Sequence, residues 1–306
     1  MHLNRFNLVV IGAGVLGCAV LTQMVGRYFS SVSIVDGDIV TQKNLKNQRL
    51  YSEKDAAEML NKSRAAVAHL SALNSSVKYN SFPFYIGEQR ILGVIKGADL
   101  VLDFTDNSET RLIINDACFK FKIPLLIASI RGKNGFFYLI DWKHACYNCI
   151  YTNLQKSYNE NCANTHYESA MRLGALIEKE LSRFIAGDNG FLFNSVSLNT
   201  NRAHSIEIAK DPHCGTCGAS KHMHSLDHGF IQACGDGLKF SSQHKIDLRA
   251  VCRAFPAAIK KANRQAVFLG GVNKHVLISR TGDFLFTGYS RNEALHFISR
   301  LSGVNV

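Results

Sequence analysis

The sequence lacks an apolar run long enough to cross a membrane as a helix. Its longest such stretch, residues 8–21, contains Gly12, Gly14 and Gly17 and is shorter than the roughly 20 residues that a membrane span needs. A signal peptide is the alternative interpretation because Arg5 precedes the run, but no clear A-x-A cleavage site follows it. We therefore expect a soluble, cytoplasmic protein that has no membrane partner.

Internal repeats, low-complexity tracts and strong compositional bias are absent as well. Hydrophobic residues make up 46% and charged residues 19% of the 306 residues, which excludes collagen-like and intrinsically disordered chains. At about 150 residues per domain, this length predicts two domains. The 35 lysines and arginines exceed the 24 aspartates and glutamates, for a formal net charge of +11. This excess favours an acidic partner (a nucleic acid, a nucleotide, an anionic membrane or an acidic protein) without choosing among them.

The first 130 residues alternate between predicted strands and helices. Residues 7–11 and 31–35 are rich in β-branched residues and show no polar alternation, which is typical of parallel strands covered on both faces. A glycine turn and a helix join them into a right-handed βαβ unit. The other elements predicted here are helices at 55–73 and 109–121 and strands at 98–104 and 124–129. This alternation predicts an α/β domain with a doubly wound, Rossmann-like, mostly parallel sheet.

The rest of the chain predicts a zinc-tied segment and a small α+β module. Residues 213–236 are rich in His, Cys and Gly and predict a linker or a metal-tied hairpin, so we place the domain boundary between residues 1–235 and 236–306. The elements predicted after residue 130 are an antiparallel excursion at 133–141, an exposed loop at 159–165, helices at 168–185, 247–262 and 292–301, and strands at 191–208, 266–269, 276–279 and 284–287.

Gly12-x-Gly14-x-x-Gly17 follows the first predicted strand and opens the first helix. In such a motif the first glycine permits a tight turn, the second lets a phosphate approach the backbone, and the third lets helix and strand pack closely. The helix N-terminus also offers free N–H groups to an anion. Asp36 ends the second strand, where a carboxylate can accept hydrogen bonds from ribose hydroxyls. These features predict a nucleotide site, with a dinucleotide oxidoreductase as the default and a glycine-rich packing turn as the alternative.

The motifs that follow favour another class of enzyme. In chain order they are the glycine turn, D-G-D at 36–38, N-L-K-N-Q at 44–48, Lys62 placed twelve residues before Asn74, and T-D-N at 105–107 followed by Arg111. Their order and spacing resemble the ubiquitin-activating-enzyme-like adenylyltransferases, in particular the bacterial ThiF/MoeB type, over nearly the whole chain. The resemblance implies an ATP-dependent enzyme that turns a carboxylate into an acyl-AMP and releases pyrophosphate. A dehydrogenase is disfavoured because no convincing acid–base set for hydride transfer is present.

The resemblance implies a role for most of these residues. Asp36 would hold the ribose, Lys62 would contact the phosphates and Asp106 would bind Mg²⁺, while Arg49 is a candidate cation near the phosphates. The other nucleotide-binding residues that it implies are Gly12, Gly14, Gly17, Asp38, Asn44, Gln48 and Asn107. Taken singly, Lys62 would be a solvated helix lysine, Asp106-Asn107 an Asx turn and Arg111 a surface ion pair. The joint pattern favours the functional interpretation, because this chemistry depends on positioning and on cations around a triphosphate.

Two features depart from the family pattern. Residue 47 is asparagine, where the family usually has an arginine, and Lys46 or Arg49 is a candidate replacement. The first predicted strand begins at residue 7, so we expect no N-terminal helix whose arginine would reach the partner subunit's ATP. Catalysis would then be slower, specialised or completed by another chain. We still expect a homodimer, because related sites are completed near a two-fold interface.

Cys146-x-x-Cys149 and Cys214-x-x-Cys217 are two paired-thiol motifs separated by 64 residues. A single C-x-x-C would also suit a redox pair or free thiols in a turn. Two such pairs favour a tetrahedral, structural zinc site, and the resemblance places zinc there too. The nearby histidines could compete as ligands but are expected on an exposed loop: His213, His222, His224 and His228.

Cys162 lies thirteen residues after Cys149 in a polar segment. By resemblance it belongs to a mobile crossover loop above the adenylate, where it can form a thioester or persulfide-type link with the activated carrier. The small apolar residues that usually follow are replaced here by polar ones at 163–169. His166 could lower the pKa of the thiol, but a structural, solvent-exposed cysteine is favoured about equally.

The resemblance implies that ATP, Mg²⁺ and Zn²⁺ serve to activate the C-terminal carboxylate of a ubiquitin-like sulfur-carrier protein. A basic surface suits an acidic carrier, and the tail from about residue 245 is the predicted docking surface. One alternative is a maturation enzyme that activates a ribosomal precursor peptide in antibiotic biosynthesis. Another is the inactive partner subunit of a heterodimeric activating enzyme. We expect no nucleic-acid partner.

Overall fold

The protein, described by a computed structural model, is built on two β-sheets. The structure describes residues 6–24, 28–154, 165–188, 193–200, 202–219, 224, 229–232, 237–242 and 244–302. Within these ranges no helix combines the length and the apolar character that a membrane span needs.

The first sheet has eight strands. They are β1 Phe6–Ile11, β2 Phe29–Val35, β3 Lys78–Phe82, β4 Leu100–Asp103, β5 Leu125–Arg131, β6 Asn134–Ile140, β7 Phe193–Ser197 and β8 Arg202–Ile206. Their order is β3-β2-β1-β4-β5-β6-β7-β8. The strands from β3 to β5 are parallel, and β6, β7 and β8 continue the sheet antiparallel. The chain changes winding direction between β1 and β4, which creates the crevice where doubly wound sheets bind ligands.

Helices cover both faces of this sheet and confirm the predicted doubly wound α/β fold. They are α1 Val15–Gln23, α2 Gln42–Leu45, α3 Glu53–Ala57, α4 Lys62–Leu73, α5 Glu88–Ile95, α6 Ser108–Phe121, α7 Tyr147–Leu154 and α8 Tyr167–Ile185. Successive residues of β1 enter opposite cores: Leu8 and Val10 pack in the core with α1, α4 and α8, whereas Val9 and Ile11 pack with α5, α6 and α7. A strand buried on both faces must be apolar at every position, which explains the run that the sequence shows.

The second sheet is antiparallel, and we call it together with its two helices the second-sheet module. Its elements are β9 Phe230–Gln232, β10 Gly237–Ser241, α9 Leu248–Ala254, β11 Ile259–Ala262, β12 Ala266–Gly270, β13 His275–Ser279, β14 Asp283–Thr287 and α10 Arg291–Ser302. The strand order is β11-β12-β13-β14-β10-β9. The phenylalanines Phe230, Phe284 and Phe286 lie at the centre of its core, so the predicted small α+β module is present. Strand β9 lies before the predicted boundary at residue 235 and pairs with β10 after it.

Two predicted helices are interrupted. The helix predicted over 247–262 ends at Ala254, since Pro256 begins a short 3₁₀ turn, and residues 259–262 pair with β12. Proline cannot donate a backbone hydrogen bond and disfavours helical geometry in the residue before it. The helix predicted over 55–73 is divided into α3 and α4, because Met59 adopts a positive φ of 48°. Strand β3 and helix α5 were not among the predicted elements.

Polar contacts join the second-sheet module to the first sheet and its helices α1–α8, which we call the first domain. Arg90 of α5 lies 3.1 Å from the Asp283 carboxylate, whose side chain is 1% exposed. Asp283 also accepts a hydrogen bond from the backbone N–H of Tyr85 at 3.2 Å. Farther along the interface, Arg64 donates to the side-chain oxygen of Gln265. Ser241 of β10 pairs with Asp283 and accepts a hydrogen bond from Arg90 at 2.6 Å, so β10 lies beside the end of the first sheet that Tyr85 follows.

Candidate active site

A cavity of about 340 Å³ opens at the carboxyl ends of β1, β2 and β4. Its apolar lining includes Ile11, Val35 and Phe104, each at or just beyond a strand end. The position is the switch point of the doubly wound sheet, where ligands bind in this fold class. A cavity of this size is in the range of small-molecule sites.

The glycine turn forms one wall of the cavity. Gly12 has a φ of +94° and packs against the backbone of Phe104, and a Cβ on Gly17 would lie 2.1 Å from the Gly12 carbonyl oxygen. A Cβ on Gly14 would meet nothing within 4 Å. Gly12 therefore makes the turn, Gly17 allows close packing, and Gly14 leaves open space before the N-terminus of α1. Unpaired N–H groups at such a terminus attract anions.

Asp36 shapes the turn after β2 with both oxygens of its carboxylate. One oxygen accepts the backbone N–H of Ala13 at 2.8 Å, and the other accepts the N–H of Asp38 at 2.8 Å. A carboxylate has about four acceptor positions, so further positions remain for ribose hydroxyls. Burial raises the pKa of Asp36 above its ordinary value, although the nearby Lys62 ammonium opposes the rise.

Lys62, at the start of α4, points into the cavity and is 8% exposed. Its Nζ lies 3.0 Å from an oxygen of Asp38, and the other oxygen accepts the hydroxyl of Tyr85 at 2.9 Å. Burial alone would lower the pKa of Lys62, but the charges of Asp38 and Asp36 raise it above its ordinary value. The pKa of Asp38 is held below its ordinary value, because Lys239 and Lys62 outweigh the effect of its burial. Lys62 is therefore a buried, protonated ammonium group.

Asn61 fixes the position of Lys62 and was not among the predicted site residues. Its amide donates to the carbonyl oxygens of Asp36 at 2.9 Å and of Asp38 at 3.0 Å. Its Oδ1 caps α4 by accepting the N–H of Ser63 at 2.9 Å. One side chain thus joins the helix that carries Lys62 to the turn that carries the two acids. An asparagine directly before a predicted helix is an N-cap signal that could have revealed it.

The segment after β4 forms the rim of the cavity. Asp106 lines the cavity and is exposed, while Asn107 caps α6 by accepting the N–H of Thr110 at 2.8 Å. Arg111 is 7% exposed and donates to the carbonyl oxygens of Thr105 and Ala128. The surface ion-pair interpretation of Arg111 is therefore wrong: this arginine supports the rim from inside the fold.

The four remaining predicted residues differ in whether the structure places them at the cavity. Gln48 lines the cavity, and its Oε1 is buried without a partner in the described part of the chain. This oxygen could therefore accept a hydrogen bond from a bound molecule. Asn44 does not line it; its Oδ1 accepts the N–H of Thr41 at 2.9 Å at the start of α2. Arg49 also lies outside the lining and is 62% exposed, with a guanidinium nitrogen 3.9 Å from Glu168. Cys162 lies outside the described residues.

The four cysteines of the two C-x-x-C motifs come together. Their sulfur atoms lie within 4.8 Å of one another, and all four side chains are buried. Cys146 Sγ is 3.9 Å from Cys149 Sγ and 3.6 Å from Cys214 Sγ, and Cys149 Sγ is 3.5 Å from Cys217 Sγ. Tetrahedral zinc with bonds of about 2.3 Å requires sulfur–sulfur distances of about 3.8 Å, so the cluster fits Zn²⁺. Of the competing histidines, His224 instead contacts Asp116 at 2.8 Å.

The cavity also fits a nucleoside triphosphate and Mg²⁺. The open space at Gly14, the helix N-terminus and Lys62 suit phosphates, and the spare acceptor positions of Asp36 suit a ribose. Magnesium in nucleotide sites is commonly held by one or two carboxylates together with the substrate's phosphates. Asp106, exposed at the rim, would supply such a carboxylate.

These features define an α/β protein with a cavity suited to a nucleotide and a four-thiol cluster that could hold a metal ion. The model of the ThiF family matches residues 1–219. The chain therefore belongs to the ThiF family, as the resemblance of its motifs implies.

Two curated relatives illustrate the match. The sulfur carrier protein ThiS adenylyltransferase of Bacillus subtilis is 36% identical over 149 residues, which cover 48% of this chain and 44% of the relative. The adenylyltransferase and sulfurtransferase MOCS3 of Culex quinquefasciatus is 31% identical over 214 residues, which cover 69% of this chain and 48% of the relative. The chain thus spans about half the length of the curated relatives it matches.

Solved structures share the fold. E. coli MccB in complex with ATP superposes with a TM-score of 0.60 at 20% identity, over 71% of this chain and 68% of MccB. PaaA superposes with a TM-score of 0.56 at 19% identity, over 68% of this chain and 66% of PaaA. At these identities the likeness concerns the fold, and function must be argued from the site.

Proposed function

We propose that this protein is an ATP-dependent adenylyltransferase that converts the carboxylate of a protein or peptide into an acyl-AMP. The observation that carries the proposal is the placement of Lys62: a protonated ammonium, buried beside Asp38, that lines a cavity together with the glycine turn. Burying a charge costs several kcal/mol unless it is paired. A polyphosphate binding site is the function that best accounts for such a group at this position.

The charges in the cavity suit the proposed reaction. A carboxylate oxygen of the substrate attacks the α-phosphorus of ATP, an oxygen–phosphorus bond forms, and the bond to the bridging oxygen breaks so that pyrophosphate leaves. Negative charge grows on the leaving group, and Lys62 and the N-terminus of α1 are in place to stabilise it. Asp36 orients the ribose. Mg²⁺ held by Asp106 would neutralise phosphate charge when bound.

The proposed substrate is a ubiquitin-like sulfur-carrier protein, whose C-terminal carboxylate would be activated. The names of the relatives, a ThiS adenylyltransferase among them, support this choice. The second-sheet module supports a protein substrate, since residues 244–302 contain ten lysines and arginines but only three acidic residues. Such a surface would attract an acidic partner.

A precursor peptide is the second candidate substrate. The solved structure of MccB, described as a Microcin C7 biosynthetic enzyme in complex with N-formylated MccA, supports it through the shared fold. The departure at Asn47 and the polar residues after Cys162 also favour a specialised substrate. In either case we propose that the protein acts as a homodimer and that Cys162 is a candidate nucleophile toward the activated carboxylate.

Exchange of labelled pyrophosphate into ATP distinguishes the candidates. Exchange stimulated by a carrier ending in Gly-Gly, and not by the same carrier without that ending, supports the first substrate. Exchange only with a precursor peptide encoded beside this protein supports the second. ATP binding without exchange, restored by adding a partner chain, would identify an inactive subunit and contradict the proposed activity.

Asp106→Ala is expected to lower Mg²⁺-dependent exchange by about 100-fold or more, because it removes the proposed metal ligand. Its melting temperature should stay unchanged, since the side chain is exposed. Glu109→Ala, at an exposed acid in the first turn of α6, is the matched control and should keep full exchange. Full exchange by Asp106→Ala would exclude this residue as the ligand.

A further inference from the structure

Lys239 enters the cavity from the second-sheet module. It lies in β10, yet its Nζ is 3.2 Å from Asp38 in the first domain, and its side chain is 15% exposed. The ammonium also lies 5.0 Å from the centre of the Tyr85 ring. The residue lines the same cavity as Lys62 and the glycine turn. A second lysine therefore faces the space proposed for the triphosphate, and it comes from a different sheet.

Lys62 and Lys239 approach opposite oxygens of the Asp38 carboxylate. An ammonium group carries three N–H donors, and Asp38 is the only acceptor that the described residues offer to either of them. The remaining donors can therefore bind oxygens of a ligand. Burial alone would lower the pKa of Lys239, but the charge of Asp38 raises it above its ordinary value, so both lysines are protonated at neutral pH.

Attachment of the module does not explain this placement. Arg90 donates to the Ser241 hydroxyl at 2.6 Å and to Asp283 at 3.1 Å, and Asp283 accepts the N–H of Tyr85. These contacts hold β10 and β14 against the first domain without Lys239. Burying the charge of Lys239 costs free energy. Since the interface already has the ion pair of Arg90 and Asp283, a second buried charge is not needed to hold the two parts together.

We propose that Lys239 binds the phosphates of ATP together with Lys62, so that the second-sheet module completes the nucleotide site of the same chain. The inference rests on the proposed function. In this arrangement Asp38 positions both ammonium groups before ATP binds, and the triphosphate then recruits their free N–H donors. Docking of the module thereby becomes a condition for tight ATP binding, while the adenosine end of the nucleotide is held by the first domain.

Calorimetric titration of the whole protein with ATP and with adenosine tests the inference. Lys239→Met keeps the apolar stem but removes the charge, and it should weaken ATP binding by about 10- to 100-fold while adenosine binding changes less than about twofold. Lys239→Arg should restore part of the ATP affinity because it keeps a cation. Lys261→Met, at an exposed lysine of β11, is the matched control and should bind both ligands normally.

A native-protein measurement covers the case in which Lys239→Met folds poorly. ATP, but not adenosine, should slow the acetylation of Lys239 by a mild acylating reagent, measured by mass spectrometry with Lys261 as the internal reference. Equal ATP affinity in Lys239→Met, an equal loss of adenosine affinity, or unchanged acetylation in the presence of bound ATP would overturn the role of Lys239 while the proposed adenylation stands. Failure of the wild-type protein to bind ATP would overturn both.

Discussion

Replacing Lys62 with methionine is expected to lower the rate of carrier- or peptide-stimulated ATP–pyrophosphate exchange by about 100- to 1,000-fold. This corresponds to about 3–4 kcal/mol of lost transition-state stabilisation. The effect is large because the Lys62 ammonium is buried and already oriented by Asp38 at 3.0 Å. A preorganised charge in a site shielded from water stabilises developing negative charge more strongly than a mobile surface charge does.

The Lys62 variant should still fold. Asp38 keeps the Lys239 ammonium at 3.2 Å and the Tyr85 hydroxyl at 2.9 Å, so its charge is not left unpaired. Methionine also fills most of the volume of the lysine stem. Lys78→Met, at the exposed first residue of β3, is the matched control. Kinetics should be measured with thermal melting: a normal kcat/KM in a folded Lys62→Met protein would contradict the proposed site.

Removal of the metal is expected to have the largest effect on stability. Cys214→Ser should abolish the binding of one zinc ion per chain and lower the melting temperature by about 10–20 °C. This shift corresponds to a loss of about 5 kcal/mol, below the 10–16 kcal/mol of isolated zinc peptides, at roughly 2–4 °C per kcal/mol. Without zinc, four buried thiols within 4.8 Å of one another lose the ion that joins α7 to the segment carrying Cys217.

Helix α6 connects the four-cysteine cluster with the rim of the cavity. Asn115 of α6 donates to the sulfur of Cys146 at 3.7 Å and accepts the N–H of Tyr147 at 3.0 Å, and the same helix begins beside Asp106.

Elemental analysis and melting curves with and without a chelator check the predicted zinc content and the predicted loss of stability. Cys252→Ser, at a half-buried thiol outside the cluster, is the control. A protein that contains no zinc and melts unchanged after chelation would contradict the structural metal site.

Much of the first domain could be predicted because its signals are local. Glycines are needed where a turn has a positive φ or where backbone segments touch, as at Gly12 and Gly17. The strands could be predicted because both of their faces are buried, which makes them apolar at every position. The spacing within the two C-x-x-C pairs is enough to indicate a thiol site. The errors lie where local patterns compete: residues 247–262 carry a helical pattern that Pro256 ends.

The candidate site was only partly predictable. Asp36, Lys62 and Asp106, to which the resemblance assigns roles in nucleotide and metal binding, line one cavity, whereas Asn44 and Arg49 lie outside it. The order of motifs along a chain does not show which side chains point inward, because a residue such as Asn44 can equally cap its own short helix. Which side chains point into the cavity follows from their exposure and hydrogen-bond partners, and these are known only from the tertiary structure.

The amino-acid sequence by itself determined the doubly wound sheet, the glycine turn with its acid and the paired thiols, since each depends on residues close together in the chain or on a fixed spacing. Only the tertiary structure decided that Lys239 shares Asp38 with Lys62 and that Tyr85 joins them. Lys239 and Asp38 are about 200 positions apart in the chain. Their contact exists because the second sheet packs against the carboxyl ends of the first, and no local pattern encodes the relative placement of two separately formed sheets.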